Sequence, residues 1–310
     1  MKVSTSMLFD RASTTMSNLQ NELATSQAKI SSQKQVLNPS DAPDQTATIL
    51  RLNSVIDRQT GYSKTLEVIQ ARLDSEGAAL SSASDVLIRI KELALQANNG
   101  TQGPVTRQII GIEMAGLRDQ LLSLANTTDT NGNYIFSGSK VRTQPFAADA
   151  AGSVTYRGDQ NRMKVEIGEQ RTLAINRPGV SAFVRVVRNE SDGSQTGRGF
   201  FQALDDLILA VKTPSDSSAS GMQRGLSELD ALHTGLILAQ ADAGTDMQVL
   251  ELQGVVIDDT KLTLKKVLSN SEDLDITAAI TQMQKQMLSL EAAQSSFAKI
   301  SQLTLFSYLR

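Results

Sequence analysis

Leu52, Val55, Gln59, Tyr62, Leu66, Ile69, Leu73, Glu76, Leu80, Ala83, Leu87, Ile90, Ala94 and Ala97 stand at alternating steps of three and four along LNSVIDRQTGYSKTLEVIQARLDSEGAALSSASDVLIRIKELALQA, residues 52–97. Twelve of these fourteen positions are apolar, in a chain whose apolar share is 40%. Residues three and four apart share one helix face, so the pattern predicts a single helix of 46 residues, roughly 70 Å long at 1.5 Å per residue. Globular helices are far shorter. A seam this long predicts a coiled coil or a long bundle.

Neighbouring stretches carry matching seams. After Gly103-Pro104, a helix-start signal, come Ile110, Met114, Leu117, Leu121 and Leu124, with an end expected near Asn131-Gly132. Far downstream, Leu226, Leu229, Leu236, Ala243, Met247, Leu250, Ile257, Leu264 and Leu268 share one register, interrupted by His233, Gln240, Gly254 and Lys261. Together they predict an antiparallel bundle.

Both ends of the chain are nearly free of helix breakers. None of the 20 glycines precedes Gly61 or follows Gly254, and 13 of them lie between Gly100 and Gly199. Two short breaks interrupt the ends: Asn38-Pro39-Ser40-Asp41-Ala42-Pro43, and Ser269 to Asp275 with its run of acids. They leave an N-terminal arm of 37 residues and a C-terminal arm of 35, which could pair along their length. The first arm carries Phe9, Ala12, Met16, Leu19, Leu23, Ser26, Ile30, Gln33 and Leu37; the second carries Ile276, Ile280, Met283, Met287, Leu290, Gln294 and Phe297. From Ile276 onward the only charges are Lys285, Glu291, Lys299 and Arg310. One partner helix covers one narrow stripe, so arms this poor in charge are expected to meet neighbouring copies as well. The expected assembly interface is Phe9, Met16, Leu19, Leu23, Ile30, Ile276, Ile280, Met283, Met287, Leu290 and Phe297.

In the centre the period changes to two. Ser153–Arg157, Arg162–Ile167, Arg171–Ile175 and Val184–Val187 read as strands, with turns at Gly158–Asn161 and Gly168–Gln170. Phe200, Phe201, Leu204, Leu207, Ile208 and Val211 then restart a helix, closed by Pro214 and the serine-rich Ser215–Ser220. The fold class is therefore mainly α: a long antiparallel helical rod or coiled coil formed by both chain ends, with a small β-rich domain inserted in the middle. The expected domains are 1–40 with 271–310 (assembly), 41–139 with 198–270 (helical rod) and 140–197 (β-rich).

Composition removes most chemistry. There is no cysteine, which excludes thiol catalysis, thiolate metal sites and disulfides. The single histidine, His233, sits in a bundle seam and reads as a packed side chain rather than a base or ligand. Thirty basic against 33 acidic residues give a net charge of −3, with no global pull toward nucleic acid or anionic membrane. No segment approaches the roughly 20 apolar residues that span a bilayer. Asp10 and Arg11 stand where a signal peptide would be apolar, so if the protein leaves the cytoplasm, another route is expected. Glu272, Asp273 and Asp275 suit the start of a helix better than a cation site. Asp205-Asp206 and Asp258-Asp259 read as solvated helix faces, and Arg157, Arg162, Arg171, Arg177, Arg185 and Arg188 as exposed strand faces. Gly193–Gly199 lacks the Gly-Lys-Ser/Thr ending of a phosphate loop and reads as a flexible return. No catalytic, cofactor-binding or metal-binding residue is nominated, and no enzymatic activity is expected.

Several stretches are similar to one family. Met1-Lys2-Val3-Ser4-Thr5-Ser6-Met7 looks like its opening, and Leu37-Asn38-Pro39-Ser40-Asp41-Ala42-Pro43-Asp44 like its N-P-S-D-D-P turn, with Ala42 replacing the second acid. Ala125-Asn126 through Gly132-Asn133-Tyr134-Ile135-Phe136-Ser137-Gly138, followed by Pro145-Phe146, carries the most specific signature. Asp273-Leu274-Asp275, Ala292-Ala293-Gln294 and Leu305-Phe306-Ser307-Tyr308-Leu309 resemble the family's last helix. The chain thus resembles the flagellin superfamily, in its hook–filament junction branch. That resemblance implies a secreted structural subunit of the bacterial flagellum, exported unfolded through the type III apparatus and served by an export chaperone. It implies as partners copies of itself, a neighbouring hook-associated protein and flagellin, with no nucleic acid, no membrane and no cofactor. A filament flagellin is the nearest alternative; a coiled-coil adaptor or signalling module is the alternative from another class.

Overall fold

In a computed structural model of the chain, residues 2–99, 102–150, 152–189, 195–213 and 216–308 are described. They form, in order, helices α1 (Lys2–Ser32), α2 (Pro43–Asn98) and α3 (Pro104–Ala125) and strands β1 (Phe146–Ala148), β2 (Val154–Tyr156), β3 (Lys164–Gly168) and β4 (Arg171–Ala174). A one-turn helix α4 (Gly179–Ala182) and strands β5 (Val186–Asn189) and β6 (Gln195–Arg198) follow, then helices α5 (Phe200–Lys212), α6 (Asp216–Glu272) and α7 (Ile276–Tyr308). The chain divides into two compact units: residues 61–258, and residues 1–60 with 259–310.

The seam over residues 52–97 lies on one continuous helix, α2, of 56 residues. From Leu66 to Ala97 every seam position is buried, including the polar Glu76. Within 61–258 α2 and α6 run antiparallel: the Ser84 hydroxyl lies 3.1 Å from the His233 ring, Lys91 pairs with Asp230, and Gly77 faces Met247. His233 is half-buried in the bundle seam. All six apolar residues read for the helix after Gly199 are buried on α5. A core of these helices also takes in Phe146, Val154, Phe183 and Val186 from the β region. Five phenylalanines meet there, with Phe183 and Phe200 edge to face at 5.2 Å.

Three separate antiparallel hairpins, β1–β2, β3–β4 and β5–β6, make up the β region. Several expectations are corrected. The strands flanking Gly158–Asn161 do not pair with each other, because β2 is taken by β1. The return after residue 194 is strand β6 rather than a loop, laddered to β5 from Val186–Arg198 to Asn189–Gln195; residues 190–194 lie outside the described residues. The serine-rich stretch does not stay a loop: α6 already starts at Asp216, while Pro214 and Ser215 lie outside the described residues. Helix α3 stops at Ala125, short of Asn131, because the chain turns into a side-chain-organised loop.

That loop is the most specific stretch of the sequence. The Asp129 carboxylate accepts the backbone N–H groups of Asn131 and Asn133, each at 2.9 Å, and pairs with Arg72 of α2 at 3.0 Å. Burial works against its charge, but these donors outweigh it and hold the carboxyl below the ordinary aspartate range. Ile135, Phe136 and Ser137 are fully buried, and the Phe136 carbonyl accepts Gly179 N–H at 2.8 Å. Gly138 has φ +70°, and a Cβ there would collide with Asp159.

Two of the six arginines read as exposed are buried. Arg177 of the β region donates to Glu76 of α2 at 2.6 Å and to Asp242 and Asp246 of α6 at 3.1 and 3.3 Å. Arg188 of β5 grips Glu228 of α6 through two nitrogens, at 2.7 and 2.8 Å, and pairs with Asp206 of α5. Neither Asp205 nor Asp206 is simply solvated, since Asp205 binds Arg118 of α3 at 2.8 Å. A strand arginine reaches over the hairpin edge to helix carboxylates because its guanidinium offers several donors in a fixed fork.

Candidate assembly interface

The arm helices α1 and α7 pack against each other within the unit formed by 1–60 and 259–310. Their pairing is antiparallel and fixed at both ends. Near one end the Phe9 and Phe297 rings lie 4.5 Å apart. At the other end backbone groups cross over: Leu274 N–H donates to the Gln33 carbonyl at 3.0 Å, and Gln35 N–H to the Glu272 carbonyl at 2.8 Å. Lys34 pairs with Glu272 at 2.5 Å, a contact that raises the lysine pKa, chiefly through the side-chain hydrogen bond. The Asp275 carboxylate accepts Ala278 N–H at 3.0 Å, which caps the start of α7.

This crossover shortens the N-terminal helix. Gln33 takes φ +58°, so α1 ends at Ser32 and the expected stripe positions Gln33 and Leu37 fall outside it. The long arm of 37 residues is therefore a 31-residue helix and a turn.

Inside the pair, Ala12, Met16, Leu19, Leu23, Ser26 and Ile30 of α1 are half-buried, as are Ala279, Met283, Gln286, Leu290, Ala293 and Phe297 of α7. Both sets step by three and four, the spacing of a two-stranded coiled coil. Ser26 donates to Gln286 across the seam at 2.8 Å. The nominated residues Met16, Leu19, Leu23, Ile30, Met283, Leu290 and Phe297 thus share the intramolecular seam, joined by Phe9 through its ring contact. Ile276, Ile280 and Met287 do not: they are 42%, 38% and 52% exposed. Ala279, Gln286 and Ala293 were missed. Their signal was a regular three-four alternation through Met283, Leu290 and Phe297 that side-chain bulk disguised.

Along both arms the pairing stays shallow. Among the described side chains of residues 2–58 and 259–299, none is fully buried. Met7 and Leu288 are exposed along with the three residues above. Among the described residues no group of three or more His, Asp or Glu could hold a metal ion, and no helix is long and apolar enough to cross a membrane.

The site is thus a long helical pair built from α1 and α7, with Ile276, Ile280, Met287 and Leu288 left in water. Residues 3–141 match the family described as the bacterial flagellin N-terminal helical region. End to end it is similar to flagellar hook-associated protein 3 of Escherichia coli strain K12, with 29% identity over 316 residues covering 99% of each chain. Its fold is that of the solved putative flagellar hook-associated protein from Vibrio parahaemolyticus, at TM-score 0.67 and 21% identity, covering 75% of this chain and 100% of that one. The flagellar junction protein FlgL from Legionella pneumophila has the same fold, at TM-score 0.58 and 18% identity, covering 66% of this chain and 99% of that one.

Proposed function

We infer that the chain is a structural subunit of the bacterial flagellum, placed at the hook–filament junction, where it joins a hook-associated protein to the flagellin filament. Whole-length similarity to flagellar hook-associated protein 3 supports this role. The observation that carries the mechanism is the shallow α1–α7 pair, with Ile276, Ile280, Met287 and Leu288 in water on the helix that ends the chain. At roughly 25 cal/mol per Å² of apolar surface, a seam left half-open in one copy stabilises an assembly when neighbouring copies close it. Phe9, Met16, Leu19, Leu23, Ile30, Met283, Leu290 and Phe297 hold the arm pair in register, and Ile276, Ile280 and Met287 meet the neighbour.

The subunit works by packing rather than bond-making. Its partners are copies of itself, a neighbouring hook-associated protein, flagellin, and an export chaperone that holds the arms before assembly. It acts outside the cell, in the flagellum. The domains follow the same division of labour: 1–40 with 271–310 for assembly, 41–139 with 198–270 as the helical scaffold, and 140–197 as the β-rich part.

Deleting residues 1–37 tests this reading. The truncated chain is expected to lose incorporation into flagella in a strain lacking its own copy, while residues 61–258 keep their cooperative thermal transition. Functional junctions built from the truncated chain would overturn the mechanism.

A further inference from the structure

Within the 61–258 unit, α2 and α6 border a groove of about 550 Å³. Its floor is apolar: Leu66, Met247 and Leu250. Its rim is acidic: Glu67 and Asp74 from α2 and Glu251 from α6, all exposed. Among the described residues none of these three carboxylates forms an ion pair, in a unit where Glu76, Asp205, Asp206, Glu228 and Asp246 all do. Gly254 opens the wall, since a Cβ there would meet only Leu66, at 3.9 Å.

The complement of this groove lies further along α6. Between Asp259 and Glu272 the helix carries Lys261, Lys265 and Lys266 and no acid. Leu262, Lys265, Lys266 and Ser269 fall at i, i+3, i+4 and i+7, one face of the helix. Lys265 and Lys266 are exposed and form no ion pair among the described residues, and Leu262, one turn before them, is 69% exposed. An apolar knob beside two free ammonium groups complements, in charge and apolar character, an apolar floor flanked by three free carboxylates.

We propose that the α2–α6 groove rimmed by Glu67, Asp74 and Glu251 receives the Leu262–Lys266 face of α6 from a second copy of the chain. The occupant is another copy because the same chain presents both halves of the match, on continuous helices and on outward faces. Such a contact is heterologous, joining unlike surfaces, and propagates rather than closing on itself as a two-fold contact does. It rests on the self-assembly reading above but uses surfaces outside the arms, so it adds a second, electrostatic contact to the apolar one.

The absence of cysteine makes a clean test possible. Full-length Ser63→Cys and Leu262→Cys chains, mixed and assembled, are expected to give a disulfide-linked heterodimer on oxidation, at least tenfold over either chain alone. Glu67→Lys with Glu251→Lys, and separately Lys265→Glu with Lys266→Glu, are each expected to lower incorporation tenfold or more with an unchanged circular-dichroism melt. Combining all four, so that the charges exchange sides, is expected to restore incorporation to within about threefold. No heterodimer, or charge reversal without effect, overturns the proposal. So does loss without restoration, as would follow if a basic segment of a different protein fills the groove. The arm deletion separates the two readings. Lost incorporation on deleting residues 1–37, with charge-reversed chains still incorporating, sinks the groove contact and leaves the junction role standing.

Discussion

The 61–258 unit and the unit built from the two chain ends are both made of long helices with a three-four apolar seam, yet they use that seam differently. In the first, Leu80, Leu87, Ile90, Leu121, Leu204 and Leu236 lose essentially all contact with water. In the second, the equivalent positions Met16, Leu19, Leu23, Met283 and Leu290 stop halfway. The cause is the number of layers. Around α2 stand α3, α5, α6 and the β hairpins: β1, β2 and β5 join the helices in one core, and β3 and β4 join α2 and α6 in a second. The arm helices α1 and α7 have chiefly each other. Most helical stability comes from tertiary packing, and two helices alone bury only one narrow stripe. The lesson is that the seam's period specifies a helix, while its surroundings decide whether it is core or interface.

The contrast breaks first at the aromatic cluster. Phe201 is buried among Phe146, Phe183 and Phe200, with the Arg118 guanidinium 5.7 Å from its ring centroid. Phe201→Ala is expected to cost about 3–5 kcal/mol, the range for emptying a packed core site. Urea denaturation of the full chain measures it. A loss below about 1 kcal/mol would mean that this unit is no better packed than the arms.

The Arg177 ion pairs come next. They tie the β region to both long helices, and Glu76 is buried beneath them with a side chain only 1% exposed. Arg177→Met strands that carboxylate and is expected to cost about 3 kcal/mol, at the low end for breaking a buried pair because Glu76 can take up a proton. Its proton affinity gives a second reading. Burial raises the Glu76 pKa above its ordinary value more than Arg177 lowers it, and burial raises Asp246 as well. The folded chain therefore holds these protons more tightly than the unfolded one. Their contribution favours folding below the ordinary carboxylate pKa, and it is withdrawn as pH rises through the raised folded value. Glu76→Gln is expected to flatten that part of the stability–pH profile between the two values, which a urea series across that window would show.

Much of this was legible beforehand, and the misses share one cause. The α2 helix, the α5 apolar face and the β3–β4 hairpin follow from local periodicity, which needs no knowledge of partners. The 125–138 stretch stood out by its resemblance to a family signature; that Gly132 and Gly138 take positive φ is seen only in the structure. Arg177 and Arg188 were misread as exposed, and the ion pair of Asp206 was missed, because a charged residue's fate depends on a counter-charge distant in sequence: Arg177 meets Glu76 across 101 positions. Glu76 itself looked like a lapse in an apolar seam, and it is the buried end of that pair. On α7 the intramolecular seam was half legible. Bulky Ile276, Ile280 and Met287 drew the eye, while the seam runs through Ala279 and Ala293, small residues that let two helices approach.

The smallest effect on the isolated chain is expected where the sequence stripe is cleanest. Leu23 sits mid-seam in α1 and is half-buried. Truncating it removes contacts with one partner helix and leaves no closed cavity, so Leu23→Ala is expected to cost less than about 1 kcal/mol in a single copy, below the core range. Local openings of thinly packed helices have low free energies, and hydrogen exchange reads them directly. The α1 amides should exchange at least a hundredfold faster than those of residues 80–97 in dilute buffer, and Leu23→Ala should widen the gap. In assembled flagella the ordering should reverse, with α1 gaining protection because neighbouring copies supply the layers that one copy lacks. Arms as protected as α2 in dilute, monomeric protein would mean that the α1–α7 pair is already complete, with nothing left for a neighbour to finish.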